Sequence, residues 1–560
     1  MGQESHNWKY TYEEAAAKGF ATIDYYNNLV LEKHNLVIDL DVIDNEAYKN
    51  TLSGYLAANT LDDCFLTNNN SLMDNEVMVN SINSGKFANI NDFMDYSDGT
   101  FSGLANGGDF QYLKAWNIAP DGGWYYLGCA DGNGTAMNLD TAKNDYLMNW
   151  PMHTWYALQI RVDWLNKVGL SMPTTAEQFA DAVEAFQQQD ANGNGAADER
   201  AFLGIAMSSE QVFDHGTGGW FGLPRANFAM NAATGKIENA VDFGDQYLAF
   251  VDYTKDLYNR GLALTGEGGA WAYGANVAGN YAAAQVMYPD NLITVSTGDP
   301  DCQYEPLPII QAIPGVAPRI KGQSVQTANN GLAFKADVDK QAAAAYLDWL
   351  GGPDLYMLLS YGIEGKSYDM TDDGKVYSYK VGIDYSQEEA EDYGSMWHYA
   401  PWAMFPQFQA GFAWDPVKAV YTSFSEAMDA GEPYTWKNIT IDDWKEQYKN
   451  YNWTDMSNLN RYYLYLEDFG TDNIQFDLNV NFTTMSNDEE TAIISQYGTE
   501  LTTYLAEMTT NYIVGNTSPD TYEADLQYAY DNLGMQEYTD AMQARVDRFL
   551  VAMGRDAILG

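Results

Sequence analysis

The stretch that most constrains the fold is residues 163–199, where a short helix leads directly into a polar loop that contains glycine. Apolar residues recur at helical spacing before the loop, which predicts a helix with one buried face. These residues are Phe179, Ala182, Val183 and Phe186. Thr174 and Glu177 form a capping-box pattern, which predicts Thr174 as the N-cap residue of this helix. One face of the helix is therefore expected to pack in the core, and the end of the helix fixes the start of the loop at 190–199.

The loop at 190–199 begins like the calcium loop of an EF-hand. Oxygen-bearing side chains occupy positions one, three and five, and Gly195 follows at position six, where such loops bend sharply. Position twelve is Ala201 instead of the usual Glu, so the acidic pair at positions nine and ten must close the ligand shell. The predicted Ca²⁺ ligands are Asp190, Asn192, Asn194, Ala196 through its backbone carbonyl, Asp198 and Glu199. A polar turn without a metal is the alternative, because Asn and Gly are ordinary turn residues.

Length and charge limit the class of protein. The chain has 560 residues, which is more than a single hydrophobic core usually organises, so two or more domains are expected. Its 29 basic and 78 acidic residues give a net charge of −49. Such a charge argues against nucleic acid and anionic lipid as partners and favours neutral or positively charged ligands. Adaptation to salt would produce the same charge.

The spacing of the cysteines and the length of the apolar runs narrow the class of protein only slightly. Cys64, Cys129 and Cys302 lie far apart without a CxxC pair, so we expect buried thiols, with one disulfide left open. No apolar run is long enough to cross a bilayer. Residues 1–5 have neither the basic flank nor the apolar core of a secretion signal, which indicates a shortened or a cytosolic start.

Alternating helical and strand patterns predict an α/β fold. Helical spacing at 12–32 and 48–58 alternates with strand patterns at 36–43 and 63–66, which favours a mainly parallel sheet with ligand sites beyond the carboxyl ends of its strands. Further predicted elements are strands at 158–161 and 327–334, and helices at 163–168, 340–350, 353–361 and 523–550. The segment 327–334 is expected to return to the first sheet. Residues after Lys366 are predicted to form helices with polar loops.

Four segments in a fixed order now resemble a known family. Residues 48–63 resemble a helix ending in a Gly-x-x-Pro-Asp turn, and 158–175 match the run IRKDWLDKLGLKxPxT. The candidate calcium loop follows at the family's distance, and 361–368 match GIEGxHY with Ser367 in the His position. The family is the extracellular solute-binding proteins (family 1) of carbohydrate ABC importers, in the calcium-containing, oligosaccharide-binding branch typified by alginate-binding proteins. The resemblance covers residues 10–370 and extends to the C-terminal third only in length and helicity.

This resemblance implies a periplasmic-binding-protein-like (type II) α/β fold, in which two lobes joined by hinge crossings close on a sugar chain like a flytrap. The N-lobe is predicted at 1–152 and 320–370, and the C-lobe at 153–319 and 371–560 with a helical C-terminal extension. The resemblance also implies that the protein is extracellular and lipid-anchored at a cysteine upstream of this sequence. Such a protein delivers its ligand to ABC permease subunits. The calcium would be structural. We expect a monomer.

Aromatic residues in glycine-rich loops are the predicted ligand contacts, because sugar rings offer apolar faces and hydroxyl rims. The aromatic candidates are Trp271, Tyr273, Trp220, Trp397, Trp402 and Trp150. The family places stacking tryptophans near Trp271 and near Trp397 or Trp402. Asp63 and Asn68, assigned to the carboxyl end of a strand, are predicted to bind hydroxyl groups, with turn and cap chemistry as the alternative.

A catalytic function has little support in the sequence. No GxSxG or HExxH motif is present, and acidic residues are too abundant for any pair of them to be informative. We therefore predict a non-enzymatic binding protein whose ligand is a neutral oligosaccharide, since an acidic cleft disfavours uronic acids. The alternatives are a calcium-dependent carbohydrate-active enzyme, either a lyase or a hydrolase, and a surface adhesin for glycans.

Overall fold

The computed structural model describes residues 2–4, 21–38, 41–43, 54–56, 58, 60–67, 76–107, 114–130, 157–201, 217–224, 228–263, 283–286, 302–321, 326–352, 354–355, 368–370, 375–378, 418–419, 465–466, 468–470, 473–479 and 486–559. Among these residues, no helix is both long enough and apolar enough to cross a membrane.

Strands and helices alternate through much of the described chain. The strands are β1 Gly2–Glu4, β2 Asp41–Ile43, β3 Cys64–Thr67, β4 Leu127–Ala130, β5 Ala157–Arg161, β6 Ala229–Asn231, β7 Ile237–Glu238, β8 Ala283–Val286, β9 Tyr304–Pro306, β10 Arg319–Lys321, β11 Gln326–Phe334, β12 Tyr368–Met370, β13 Lys375–Ser378, β14 Lys418–Ala419 and β15 Gln475–Asn479. The α-helices are α1 Ala21–His34, α2 Glu76–Asn83, α3 Thr100–Gly107, α4 Val162–Val168, α5 Ala176–Gln188, α6 Asp245–Asn259, α7 Lys340–Leu350, α8 Asp488–Val514, α9 Tyr522–Asn532 and α10 Met535–Ala552.

The first sheet has five strands in the order β2-β1-β3-β11-β4. β1 runs parallel to β2 and β3, whereas β11 is antiparallel to both of its neighbours. Leu332 pairs with Leu66 on one side and with Leu127 on the other, so a strand from far along the chain completes the sheet. This confirms the prediction that 327–334 returns to the first sheet.

The second sheet joins equally distant segments, in the order β10-β15-β6-β7. The buried Arg319 links three of its strands, because its Nη1 lies 2.8 Å from Asp477 Oδ1 and its Nη2 lies 2.6 Å from Glu238 Oε2. Two further sheets have the orders β8-β5-β9 and β12-β13-β14. In the first sheet β1, β2, β3 and β4 run in one direction and β11 runs against them, so the mainly parallel sheet predicted for the start of the chain is confirmed. Most pairings in the other described sheets are antiparallel.

Several predicted elements are confirmed, and others shift. The helix at 340–350 is α7, with the Asp339 side chain accepting hydrogen bonds from the amides of Gln341 and Ala342. Of the strand predicted at 36–43, Asp41–Ile43 is confirmed as β2, and residues 36–38 lie outside any strand. The helix α5 begins one residue later than predicted, because Thr175 and not Thr174 is the N-cap and accepts from the amide of Gln178.

Among the described residues, the buried apolar side chains include two separate groups. The smaller group lies against the first sheet and consists of Leu56, Phe65, Phe87, Ala119, Tyr126 and Ala333. The larger group joins α4, α5, α6, α8 and α10, and includes Phe179, Phe186, Phe250, Leu505 and Phe549. The described cysteine side chains, Cys64 and Cys302, are both buried. Burial raises the pKa of Cys64 strongly, which keeps this thiol protonated.

A buried carboxylate on α7 holds the start of α3. Asp348 is only 2% exposed, and it accepts hydrogen bonds from Ser97 Oγ (2.6 Å), Asp98 N (2.8 Å) and Phe101 N (2.9 Å). The N-terminal amides of a helix lack partners within the helix and favour negative charge. Asp348 therefore joins two distant segments of the chain by satisfying three donors at once.

We expect Asp348→Asn to lower the free energy of unfolding by about 1–3 kcal/mol, because one carboxylate oxygen is replaced by an amide group that cannot accept from a backbone N–H. Urea unfolding followed by circular dichroism measures the change. Asp337→Asn is the matched control, since the Asp337 side chain is 77% exposed, and it should change the unfolding free energy by less than about 0.5 kcal/mol. Equal urea midpoints for Asp348→Asn and the wild type would contradict the assigned role.

Candidate metal-binding loop and ligand-site residues

The polar loop begins where α5 ends. Asp190 has a left-handed backbone conformation with φ 50°, and the amide of the next residue, Ala191, donates to Phe186 O at 3.0 Å. This is the arrangement that commonly ends a helix, although glycine is the usual residue at the left-handed position. Ala191 and Phe186 are both buried. The helix end therefore fixes the first residue of the loop against the core.

Inside the loop, three side-chain oxygens turn toward backbone amides. Gly195 N donates to Asp190 Oδ2 at 3.0 Å, Asn194 N to Asn192 Oδ1 at 3.0 Å, and Ala196 N to Asn194 Oδ1 at 2.8 Å. Asp190 and Gly195 are positions one and six of the predicted pattern, so the loop closes as the sequence predicts. The left-handed φ of 81° at Gly195 makes glycine the favoured residue there.

Two carboxylate oxygens in this loop are buried without a hydrogen-bond partner in the protein. They are Asp190 Oδ1 and Glu199 Oε2. The residue Glu199 is fully buried, and its other oxygen accepts from Asn192 N at 3.0 Å. An unpaired carboxylate oxygen is costly to bury, and a cation bound between the two would remove that cost. The donor set consists of hard oxygen atoms, which suits Ca²⁺.

The remaining predicted ligands are arranged differently. The amide of Asn192 donates to Asp198 Oδ1 at 2.9 Å, and that of Asn194 donates to both oxygens of Asp198, at 3.1 and 3.0 Å. These bonds, the one from Asn192 above all, lower the pKa of Asp198, which therefore stays ionised. Across the part of the chain that the structure describes, no three acidic, His or Cys side chains are grouped closely enough to hold a metal. In this structure, Asp198 is held by the amide groups of Asn192 and Asn194.

A lysine outside the predicted motif also contacts the loop. Lys167, in the last turn of α4, donates from Nζ to Asp190 O at 3.0 Å and to Ala191 O at 2.7 Å. Its positive charge thus lies against two loop carbonyls just beyond the end of α5, where a helix terminus favours a cation. Sequence reasoning missed Lys167, since only the packing of α4 against α5 reveals the contact.

The predicted ligand-contacting residues are only partly described. Trp220 lies in the larger core, 8% exposed, with its ring edge-on to Phe179 at 5.4 Å between centroids. Its ring is therefore a packing element in this structure. The other aromatic candidates and one polar candidate lie outside the described residues: Trp150, Trp271, Tyr273, Trp397, Trp402 and Asn68.

Asp63 occupies the opposite edge of the sheet from the one expected. It directly precedes β3, so it lies at the amino end of that strand and not at its carboxyl end. Its carboxylate pairs with Lys335 Nζ at 2.7 Å. A cleft of about 790 Å³ opens at this edge, lined by apolar side chains together with Asp62, Asp63, Lys335 and Asp339. The expected placement of Asp63 is wrong because the strand begins after this residue.

Comparison with known proteins gives sequence relatives that match only part of the chain. No protein-family model matches. The chain is 31% identical over 150 residues to the fructooligosaccharide ABC transporter substrate-binding protein FusA of Streptococcus pneumoniae, which is 27% of this chain and 26% of FusA. It is 33% identical over 109 residues to Lipoprotein LipO of Bacillus subtilis, 18% of this chain and 20% of LipO. The matched region thus spans about a quarter or less of each relative.

Solved structures match along nearly the whole chain. A solute-binding protein of Bifidobacterium longum infantis, described as associated with an ABC transporter that binds HMO, aligns with a TM-score of 0.62 at 14% identity and covers 98% of both chains. An EF-hand mutant of FusA in complex with fructo-nystose aligns with a TM-score of 0.59 at 16% identity, over 98% of this chain and 99% of that one. The chain therefore has the two-lobe fold of the extracellular solute-binding proteins, and the resemblance to that family which the sequence motifs predict is confirmed.

Proposed function

We propose that this chain is the extracellular solute-binding component of an ABC importer, which captures oligosaccharides between its two lobes and delivers them to the permease. The observation that carries this proposal is the agreement between a partial sequence match to FusA and a fold match over 98% of the chain to a structure of FusA. The motif order in residues 48–368 supports the same conclusion independently.

Capture would follow from the two-lobe fold. An open and a closed arrangement exchange by hinge bending, and a ligand that touches both lobes stabilises the closed one. The residues proposed for the cleft are the aromatic side chains in glycine-rich segments, with Trp271 and Trp397 or Trp402 first. The lobes are proposed at 1–152 with 320–370, and at 153–319 with 371–560.

The proposed ligand is a neutral oligosaccharide. A net charge of −49 disfavours a ligand that carries carboxylates of its own. The ligand named for FusA, a fructooligosaccharide, is uncharged, which supports this choice. The structural match to alginate-binding protein AlgQ2 is weaker in its TM-score, 0.54 against 0.59 for the FusA mutant.

Structural calcium is the second part of the proposal. The buried oxygens Asp190 Oδ1 and Glu199 Oε2 support a cation in the loop, and so does the existence of an EF-hand in FusA. Asp190, Asn192, Asn194, Asp198 and Glu199, with the Ala196 carbonyl, would hold the ion. The Ca²⁺ ion would neutralise the clustered carboxylates and hold the loop against the end of α5.

The relatives support a proposed location outside the cell. LipO is a lipoprotein, which supports lipid anchoring outside the cell through a segment upstream of this sequence. The neighbours are transport proteins and not enzymes, which supports a binding role without catalysis. We propose a monomer that docks to permease subunits.

A glycan screen tests the ligand class. We expect neutral oligosaccharides, with kestose and nystose tested first, to raise the melting temperature in a saturable way because they bind only the folded protein. Oligosaccharides of uronic acids should give no shift. A strong preference for acidic glycans would contradict the neutral ligand. The same samples are assayed for new reducing ends, whose appearance would show turnover and would contradict the binding role.

Calcium removal tests the metal proposal. Calcium at 100 times its Kd should stabilise the protein by about 2.7 kcal/mol, and excess EGTA should remove this gain. Asp190→Asn keeps an acceptor for Gly195 and tolerates the left-handed backbone, yet it removes a charged ligand, so its melting temperature should no longer respond to calcium.

Asp181→Asn is the matched control for Asp190→Asn. Its side chain lies on α5 and is 74% exposed, so the calcium response should be retained. Chelation that abolishes glycan binding without lowering the melting temperature would sink the assignment of calcium as structural.

A further inference from the structure

A small cavity lies between residues near the smaller core and the start of α8. Its volume is about 200 Å³, and one wall is formed by Ile82, Asn83, Ala119, Pro120 and Asp121, the other by Ser486, Asn487 and Asp488. Ala119 belongs to the core of the first sheet, and Ile82 packs against it. The opposite wall is formed by residues at the start of the helix α8. Further along this helix, the buried residues Leu501 and Leu505 belong to the larger core. The cavity therefore lies where α2 and the turn at 119–121 approach the start of a helix that packs in the larger core.

The chain itself passes from one core to the other beside this cavity. Trp116 is fully buried in the larger core, with its ring edge-on to Phe549 at 4.7 Å between centroids. Ala119, three residues later, is buried in the smaller core. A relative rotation of the two cores must consequently be absorbed near these residues, and the cavity lies close to such a pivot.

A direct polar contact crosses the cavity. Asn83 Nδ2 donates to Asp488 Oδ1 at 3.2 Å, and both residues are exposed to solvent. Asp488 is in the first turn of α8, where a negative charge is favoured by the helix dipole. Apolar packing across this boundary would resist separation, whereas a solvated hydrogen bond beside a cavity is made and broken at little cost.

The contact lies at the amino edge of the first sheet. Shortly after Asn83 comes Phe87, which bridges to Lys335 beside the first residue pair of β3 and β11. The turn at 119–123 precedes β4, which runs in the same direction as β3. Ligands of open α/β sheets bind beyond the carboxyl ends of the strands. The contact between Asn83 and Asp488 therefore lies at the edge of the sheet opposite the edge where the ligand cleft is proposed.

We propose that the contact between Asn83 and Asp488 stabilises the open arrangement of the two lobes and so sets ligand affinity from outside the cleft. This proposal rests on the proposed function. When the lobes close over the ligand cleft by rotating about a pivot near Trp116, the two walls of the cavity on the opposite side move apart. The contact between Asn83 and Asp488 is therefore lost on closure. Apparent affinity scales with the population able to close, and any stabilisation of the open form weakens binding by the same factor.

Charge substitutions at Asn83 test the proposal with opposite signs. Asn83→Asp places a carboxylate against Asp488, and it should tighten the Kd for the best oligosaccharide of the screen by about two- to fivefold. Asn83→Lys creates an ion pair in the open form and should weaken the Kd by a similar factor. Both effects should shrink at high salt, because the groups are exposed. Titration calorimetry gives the Kd values.

Asn80 is the matched control, being an exposed residue of the same type one turn earlier on α2. Asn80→Asp and Asn80→Lys should leave Kd unchanged, and a shift equal to that of the Asn83 variants would reduce the effect to net charge and overturn the proposal. Hydrogen exchange without ligand is the independent readout: the peptides at 79–83 and 486–490 should exchange faster in Asn83→Asp and slower in Asn83→Lys. Unaltered exchange would mean that the contact is not formed in solution and would also overturn the proposal.

Ligand binding by the wild type and by the Asn83 variants distinguishes a failure of the proposed function from a failure of the role of the contact. If the wild type binds no oligosaccharide, the proposed function is overturned, and this proposal falls with it. If the wild type binds and all Asn83 variants share its Kd, only the proposal about the contact is overturned.

Discussion

The insertion of β11 between β3 and β4 is the constraint on which the rest of the fold depends. This strand pairs residues 331–334 with 64–67 on one side and reaches β4 on the other, so the chain must come back to its first sheet after more than half its length has been built. Such non-local pairing is costly in loop entropy and forms only when both partners are in place. The described strands between β4 and β11 lie in other sheets, and α4, α5 and α6 pack in the larger core.

Sequence reasoning succeeded where local signals determine the structure. The bounds of α7 are predicted correctly, because Asp339 caps its start and the buried face repeats at helical spacing. The loop at 190–195 closes as predicted, since the Asp, Asn and Gly spacing dictates its turns. The N-cap of α5 is off by one residue, because two adjacent threonines compete and Gln178 accepts from both the amide and the hydroxyl of Thr174.

Long-range relations were beyond the reach of the sequence. A β/α alternation near the start favoured parallel strands, but partners such as β11 and β15 come from distant segments, and no local pattern encodes their direction. Glycine-rich flanks suggested a cleft position for Trp220, yet its ring is buried against Phe179, because burial depends on which helix passes nearby. The contact of Lys167 with the loop and the contact of Asn83 with Asp488 are of the same kind.

Asp190 holds two positions at once, as the residue after the end of α5 and as the first residue of the polar loop. The left-handed backbone restricts this position to Gly, Asn and Asp at low cost, whereas a metal ligand with charge requires Asp alone. Replacement of Asp190 by Gly would preserve the helix end but remove a charged side chain from the loop. A bulkier residue would disturb both the helix end and the loop. Under the proposed calcium role, a relative without the ion would be recognisable by Gly or Asn at this position, because either residue keeps the helix end.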